Sequence, residues 1–193
     1  IYPINYLHLM GRKYAIRDQQ GLYFVTFTVV NWIDLFIRDE YKETIVESLN
    51  YCKIHKGLRL YAYCIMTSHI HLIVSSEEGS NLSDTIRDFK SYTSSQLKNK
   101  IKENGKESRR EWLIWMFERA GKKNKRNNSF QLWQQNNHPI ELSSNEMMDQ
   151  RLDYIHNNPV EAGFVDDPNS WIWSSCSSYQ KNAQGKIDVY FIE

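Results

Sequence analysis

His69 and His71 are the first residues in this chain that could do chemistry together. They stand two apart in the run Thr67-Ser68-His69-Ile70-His71-Leu72-Ile73-Val74, whose aliphatic tail marks a β-strand. Strand side chains alternate between faces, so both imidazoles leave one face while Ile70 leaves the other, toward a core. At that separation two imidazoles can converge on a single metal ion. A pair does not complete a metal site, and a further ligand has to come from another element.

The segment 145–158, read as a helix, can supply it. Met148, Leu152 and Ile155 form an apolar ridge, and Met147, Arg151, Tyr154 and Asn158 form a more polar one beside it. Residues three and four apart share a helix face, so Tyr154 and Asn158 lie one turn apart on the same side. A phenol is a nucleophile and a carboxamide a metal ligand. With two histidines they fit a metal-assisted nucleophilic reaction, although a tyrosine at this spacing is more often simple packing. His156 points roughly 200° away from Tyr154 around the helix and is expected to be structural.

The elements that must position these groups are legible in outline. Tyr23 to Val30 alternates and is rich in β-branched and aromatic residues, a strand. Asp39 to His55 carries Tyr41, Ile45, Leu49 and Cys52 as a helical stripe. Leu58 to Met66 and Ile70 to Ser75 read as an antiparallel hairpin joined through Thr67-Ser68. Asn81, with Asp84 three residues on, caps a helix whose stripe is Leu82, Ile86, Phe89, Thr93, Leu97 and Ile101. Trp112, Trp115 and Met116 suggest a short buried helix, followed by a polar loop at 121–128. Phe130 to Trp133 and His138 to Leu142 read as short extended segments. Asn145 caps the last long helix, and Pro159 stops it. The order implies an α+β fold, an antiparallel sheet with helices on one face, related to ferredoxin-like folds.

Composition narrows the function. The chain has 193 residues, enough for one domain, and its 41% hydrophobic content contains no run long enough to span a membrane. Three cysteines, Cys52, Cys64 and Cys176, form neither zinc-type pairs nor a disulfide framework, which points to a reducing, cytoplasmic setting. Met10-Gly11-Arg12-Lys13 reads like a natural start. Residues 1–12 are therefore set apart as a leader and 13–193 taken as one domain. The net charge of +1 is unevenly spread: residues 98–126 hold eleven Lys or Arg and four Glu, a local +7, leaving −6 elsewhere. Such a block suits a polyanion, with Lys98, Lys102, Arg109, Arg110, Lys122, Lys123, Lys125 and Arg126 as candidate phosphate contacts. The bland alternative is a solvated helix and loop. Trp112, Trp115 and Trp133 are expected in the core, with stacking on unpaired bases as the alternative.

Two separated motifs carry a resemblance. Tyr63 to Val74, containing His69-Ile70-His71, resembles the HUH signature (His, hydrophobic, His) of single-tyrosine transposases. Asp153-Tyr154-Ile155-His156-Asn157-Asn158-Pro159-Val160, with Gly163 shortly after, is similar to the tyrosine-helix motif of REP-associated tyrosine transposases. The likeness runs from about Lys13 to Tyr179 and departs from the family pattern at Thr67-Ser68, where a polar residue such as Asn usually stands. It implies an HUH nuclease core, with His69, His71 and Asn158 holding Mg²⁺ or Mn²⁺ and Tyr154 as the nucleophile. The implied activity is cleavage and rejoining of single-stranded DNA at palindromic repeat hairpins, through a 5′-phosphotyrosine and without ATP. It further implies a bacterial, nucleoid-associated protein that acts as a monomer with no membrane partner. A domesticated hairpin-binding protein that no longer cuts is the competing expectation.

Overall fold

In the computed structural model, which describes residues 15–124, 129–180 and 185–192, the three apolar runs become the body of one antiparallel sheet. They are Tyr23–Thr28 (β1), Leu58–Ile65 (β2) and His69–Ser76 (β3), with the short Ile140–Glu141 (β4) on the edge, in the order β2-β3-β1-β4. The hairpin turn at Thr67-Ser68 forms as expected, closed by the Met66 N–H donating to the His69 carbonyl at 2.9 Å. β1 and β3 pair with Thr26 opposite His71 and Thr28 opposite His69.

Helices lie on both faces of this sheet, where the sequence reading puts them on one. Asp39–His55 (α1), Leu82–Glu103 (α2) and Arg110–Lys123 (α3) pack with Val25, Phe27, Ile70, Leu72 and Val74 in the larger core. Asn145–Glu161 (α4) covers the other face, where Ile155 meets Phe24, Ala62, Cys64, Met66 and Ile73. The strands show why: nearly every residue of β2 and β3 is buried, which a sheet covered on one side cannot achieve. The short Cys176–Tyr179 helix (α5) closes the chain's last turns. Among the described residues no helix is long and apolar enough to cross a membrane. The three cysteines are free and buried.

Local signals decide where the elements end. Asn81 caps α2 through its side chain, which accepts from the Asp84 N–H at 2.9 Å. The stripe from Leu82 to Ile101 is buried along its length. For α4 the cap is Ser144, one residue before the expected Asn145, its hydroxyl accepting from the Met147 N–H. Pro159 does not stop α4 but sits inside its last turn, because a proline there forfeits only one helical N–H. The helix ends two residues later, and Gly163 takes the left-handed turn at φ +74°. The helix expected around Trp112 and Trp115 exists, but both indoles are exposed, at 46% and 52%. Its inward ridge is Leu113, Phe117 and Gly121, four apart, which leaves the tryptophans on the outer side. Trp133 is buried as expected, its indole N–H donating to Thr93 Oγ1 at 3.0 Å. The leader at 1–12 lies outside the described residues, as do Lys125 and Arg126.

At Gly121 the chain segment at 129–130 passes directly against α3. A Cβ there would lie 2.4 Å from the Phe130 nitrogen and 2.8 Å from its Cα, both backbone atoms that cannot step aside. Gly121→Ala should therefore destabilise the fold by roughly 1–3 kcal/mol, the usual cost of overpacking, although alanine is the better helix former. Urea denaturation of the two proteins measures it.

Candidate active site

β3 and α4 build the site between them. His69 and His71 leave β3 on the face that α4 covers, and Tyr154 and Asn158 come down onto them from the helix. The two imidazole rings lie 4.7 Å apart, and the His71 ring lies 5.1 Å from that of Tyr154, both nearly edge-on. The Asn158 side chain is placed to interact with the His69 imidazole, whose Nδ1 lies 3.2 Å from the Ser68 hydroxyl. The four residues singled out by type and spacing thus meet in one place. Among the described residues no three His, Cys, Asp or Glu side chains form a metal-holding group, and an ion here would have two imidazoles and a carboxamide as its protein donors.

His71 is fixed from several sides. Its Nδ1 lies 2.9 Å from the hydroxyl of Thr26, its cross-strand partner, and its ring stacks on Phe24 at 5.4 Å. Its Nε2 is buried and has no hydrogen-bond partner among the described residues. A buried nitrogen left this way costs about 1–3 kcal/mol, and the ring that carries it packs against those of His69 and Tyr154. Burial, then the neighbouring His69 and Arg151, push the His71 imidazole down to about 3. Burial lowers His69 as well, opposed by the Asn158 side chain and by the charge of Asp34. Both rings are held neutral, the form in which imidazole binds metal ions. The orphaned Nε2 and the neutral donor set fit a divalent ion.

Two residues at the site carry no sequence signal as ligands. Arg151, on the Tyr154 ridge, lays its guanidinium over the Phe24 ring at 5.0 Å and makes no ion pair among the described residues. Phe24 in turn touches both His71 and Tyr154, so this cation is docked beside them. Trp32 lies at the end of β1, 59% exposed, with its ring edge-on to His69 at 5.5 Å. It ends a 3-10 turn in which Asn31 and Trp32 both have positive φ, +57° and +55°. Left-handed backbone costs an L-residue about 1–2 kcal/mol. Asparagine tolerates it far better than tryptophan does. Bonds from the Val30 N–H to Leu132 and from the Trp32 N–H to Val29 hold the turn.

His156 is structural, as its helix position suggests. It is buried, bonds Ser175 Oγ at 2.9 Å, and is pushed down to about 4 by burial. The basic block sits on α2 and α3, across the sheet from Tyr154. Lys102, Lys122 and Lys123 are exposed, and Arg110 is half-buried. Lys98 lies over the Phe130 ring, and Arg109 is committed to Glu107 and to the Asp34 carbonyl. A cleft of about 530 Å³, lined by Asn31, Met116, Arg119, Lys123 and Gln134 among others, opens between the Asn31 turn and the end of α3.

Comparison with known proteins agrees with this architecture. Residues 22–116 match the family model described as "Transposase IS200 like". A Haemophilus influenzae protein named as a REP-associated tyrosine transposase is 24% identical over 156 residues, covering 80% of this chain and 79% of its own. The solved structure of a REP-associated tyrosine transposase bound to a REP hairpin superposes with a TM-score of 0.61. It is 16% identical and covers 91% of this chain and 89% of its own. That likeness establishes the shared fold.

The orphaned nitrogen makes a stability prediction. Thr26→Val combined with His71→Phe removes the unsatisfied Nε2 and both partners of the Thr26 bond, while keeping a ring between Phe24 and Tyr154. Replacing both partners of a buried polar pair by apolar groups is neutral or stabilising. The double variant should match or exceed the wild type by about 1–2 kcal/mol in metal-free denaturation, on the scale of the penalty relieved. A clear destabilisation instead would mean that the histidine is there for packing.

Proposed function

We propose, on the match of residues 22–116 to the IS200-like transposase model, that the chain cuts and rejoins single-stranded DNA at hairpin-forming repeats through Tyr154. The observation that carries this reading is the meeting of Tyr154, His69, His71 and Asn158 around a buried imidazole nitrogen that no group in the described protein satisfies. His69, His71 and Asn158 would hold a divalent ion, Mg²⁺ or Mn²⁺, whose chemistry there is polarisation of a nonbridging oxygen of the scissile phosphate. Ligation through His71 Nε2 requires the ring proton on Nδ1, and the Thr26 hydroxyl oxygen is placed to accept it.

The protein's own groups supply the remainder. The Tyr154 oxygen attacks phosphorus and loses its proton to solvent. The bond from phosphorus to the 3′-oxygen breaks, and that oxygen leaves as a 3′-hydroxyl after taking up a proton. The 5′-phosphate stays on Tyr154, and because one phosphoester replaces another, a second 3′-hydroxyl can reverse the step and join strands without ATP. Arg151 stands beside the nucleophile with its charge unspent and binds the phosphate as negative charge builds on it. The contact of Tyr154 with His71 of its own chain supports the reading that a monomer makes one cleavage. The exposed lysines of α2 and α3 hold the phosphates of the hairpin, where most of the affinity resides.

Incubation with Mn²⁺ and labelled single strands from the DNA flanking the coding region tests the chemistry. On a denaturing gel the wild type should leave a covalent protein–DNA adduct, as should Tyr92→Phe, whose phenol is exposed on α2. Tyr154→Phe and His71→Ala should leave none. An adduct with Tyr154→Phe would move the nucleophile elsewhere.

The basic block makes a separate prediction. Replacing Lys102, Lys122 and Lys123 by Ala should flatten the dependence of hairpin affinity on salt, the slope falling by roughly 0.7–0.9 for each phosphate no longer neutralised. An unchanged slope in fluorescence anisotropy would show that the DNA lies elsewhere.

A further inference from the structure

Trp32 is costly in both of its visible properties. Its large apolar ring is more than half exposed, and its backbone is left-handed, next to a second left-handed residue. Neither property serves the core, to which the buried Val29 and Val30 on one side of the turn and Ile33, Leu35 and Phe36 on the other belong. Strain of this kind persists only where the surroundings impose it, and it concentrates at functional positions. Here the imposed conformation has one evident result: it stands an exposed indole beside His69.

The location adds to this. The candidate phosphate contacts of α2 and α3 lie on one face of the sheet and Tyr154 on the other. A single strand that touches both has to pass around an edge or an end of the sheet. The Asn31–Trp32 turn is at one such end: Trp32 borders His69, and Asn31 lines the cleft that holds Arg119 and Lys123. An exposed aromatic ring between a cationic cleft and the reactive groups is how proteins grip single-stranded nucleic acid, with charge for the backbone and a flat face for a base.

We propose that Trp32 is a stacking platform for one unpaired nucleobase next to the scissile phosphate, with the Arg119–Lys123 cleft receiving the phosphates beyond it. This rests on the single-strand reading above. It makes Trp32 a positioning residue: by holding the base it sets where the adjoining phosphate lies relative to His69 and Tyr154. Stacking depends on the π-face that every base offers, so the interaction itself is tolerant of sequence.

The test uses the Tyr154→Phe protein, so that binding is read without cleavage, and two fluorescein-labelled strands of equal length. One is oligothymidylate, and the other is an abasic deoxyribose-phosphate strand that keeps the phosphates and lacks the bases. Adding Trp32→Gly should weaken oligothymidylate binding about 5- to 150-fold, the range for removing one base–aromatic stack, and leave the abasic strand nearly unchanged. Trp32→Phe should retain most of the oligothymidylate affinity. Because glycine suits a left-handed backbone, the melting temperature of Trp32→Gly should hold or rise. Equal weakening on both strands, or none on either, would overturn the proposal. If the Tyr154→Phe parent binds no single strand at all, the single-strand reading falls first and this inference with it.

Discussion

The pairing of β1 with β3 is the constraint on which the site depends. Thr26 faces His71 across that pair, and their hydrogen bond joins the strand that carries the histidines to the strand that leads into Trp32. A slip of one residue would turn every side chain of β3 to the opposite face. His71 would then point into the core of α1 and α2, and Ile70 would face Tyr154. Both faces of β3 are buried, so such a slip would place polar imidazoles among apolar residues and is strongly disfavoured. The packing that stabilises the fold also fixes the direction of the two candidate ligands.

A second consequence of that burial is chemical. Inside the sheet–helix layer the imidazoles cannot easily carry charge, and both shift downward for that reason. The groups around them are arranged accordingly. Thr26 and Asn158 are neutral polar partners, and the nearest cation, Arg151, is held on an aromatic ring rather than on a carboxylate. A carboxylate in that place would have neutralised the guanidinium that an incoming phosphate would need.

The sequence made the site more legible than the architecture around it. His69 and His71 are readable because strand geometry is strictly alternating, and Tyr154 with Asn158 because helix geometry repeats every turn. These local rules hold whatever the rest of the chain does. Which face of the sheet α4 would cover is not local: periodicity shows that a helix has an apolar side without showing what that side meets. The available clue was the near-continuous apolar run of β2, broken only by Arg59, and the Leu72-Ile73-Val74 stretch of β3, which do not alternate as a one-sided sheet requires. α3 misled for a related reason. Two tryptophans look like core, but the ridge that packs is the i, i+4 series of Leu113, Phe117 and Gly121, and a glycine draws no attention as a packing residue. At the end of α4, proline is a strong breaker in a helix interior and a weak one in the final turn, so Gly163 sets the boundary. Trp32 was unreadable, because a left-handed turn is usually marked by glycine or asparagine and only Asn31 fits that rule.

Tyr154 and Asn158 ride on one continuous helix, capped at Ser144 and anchored at mid-length by Ile155 in the sheet and His156 on Ser175. The helix therefore behaves as a rigid bar. Its two working side chains cannot be adjusted independently, because the separation between them is a property of helix pitch and not of any loop. Any displacement would have to be of the bar as a whole, as a slide, a roll or a lift relative to β3. A slide along its axis would carry the phenol and the carboxamide by the same amount, and only a lift would part both from the histidines at once. Under the proposed reaction, in which a strand is held covalently and later passed on, the coupling would make engagement all-or-none, and the seat of Ile155 is where such a motion would have to begin.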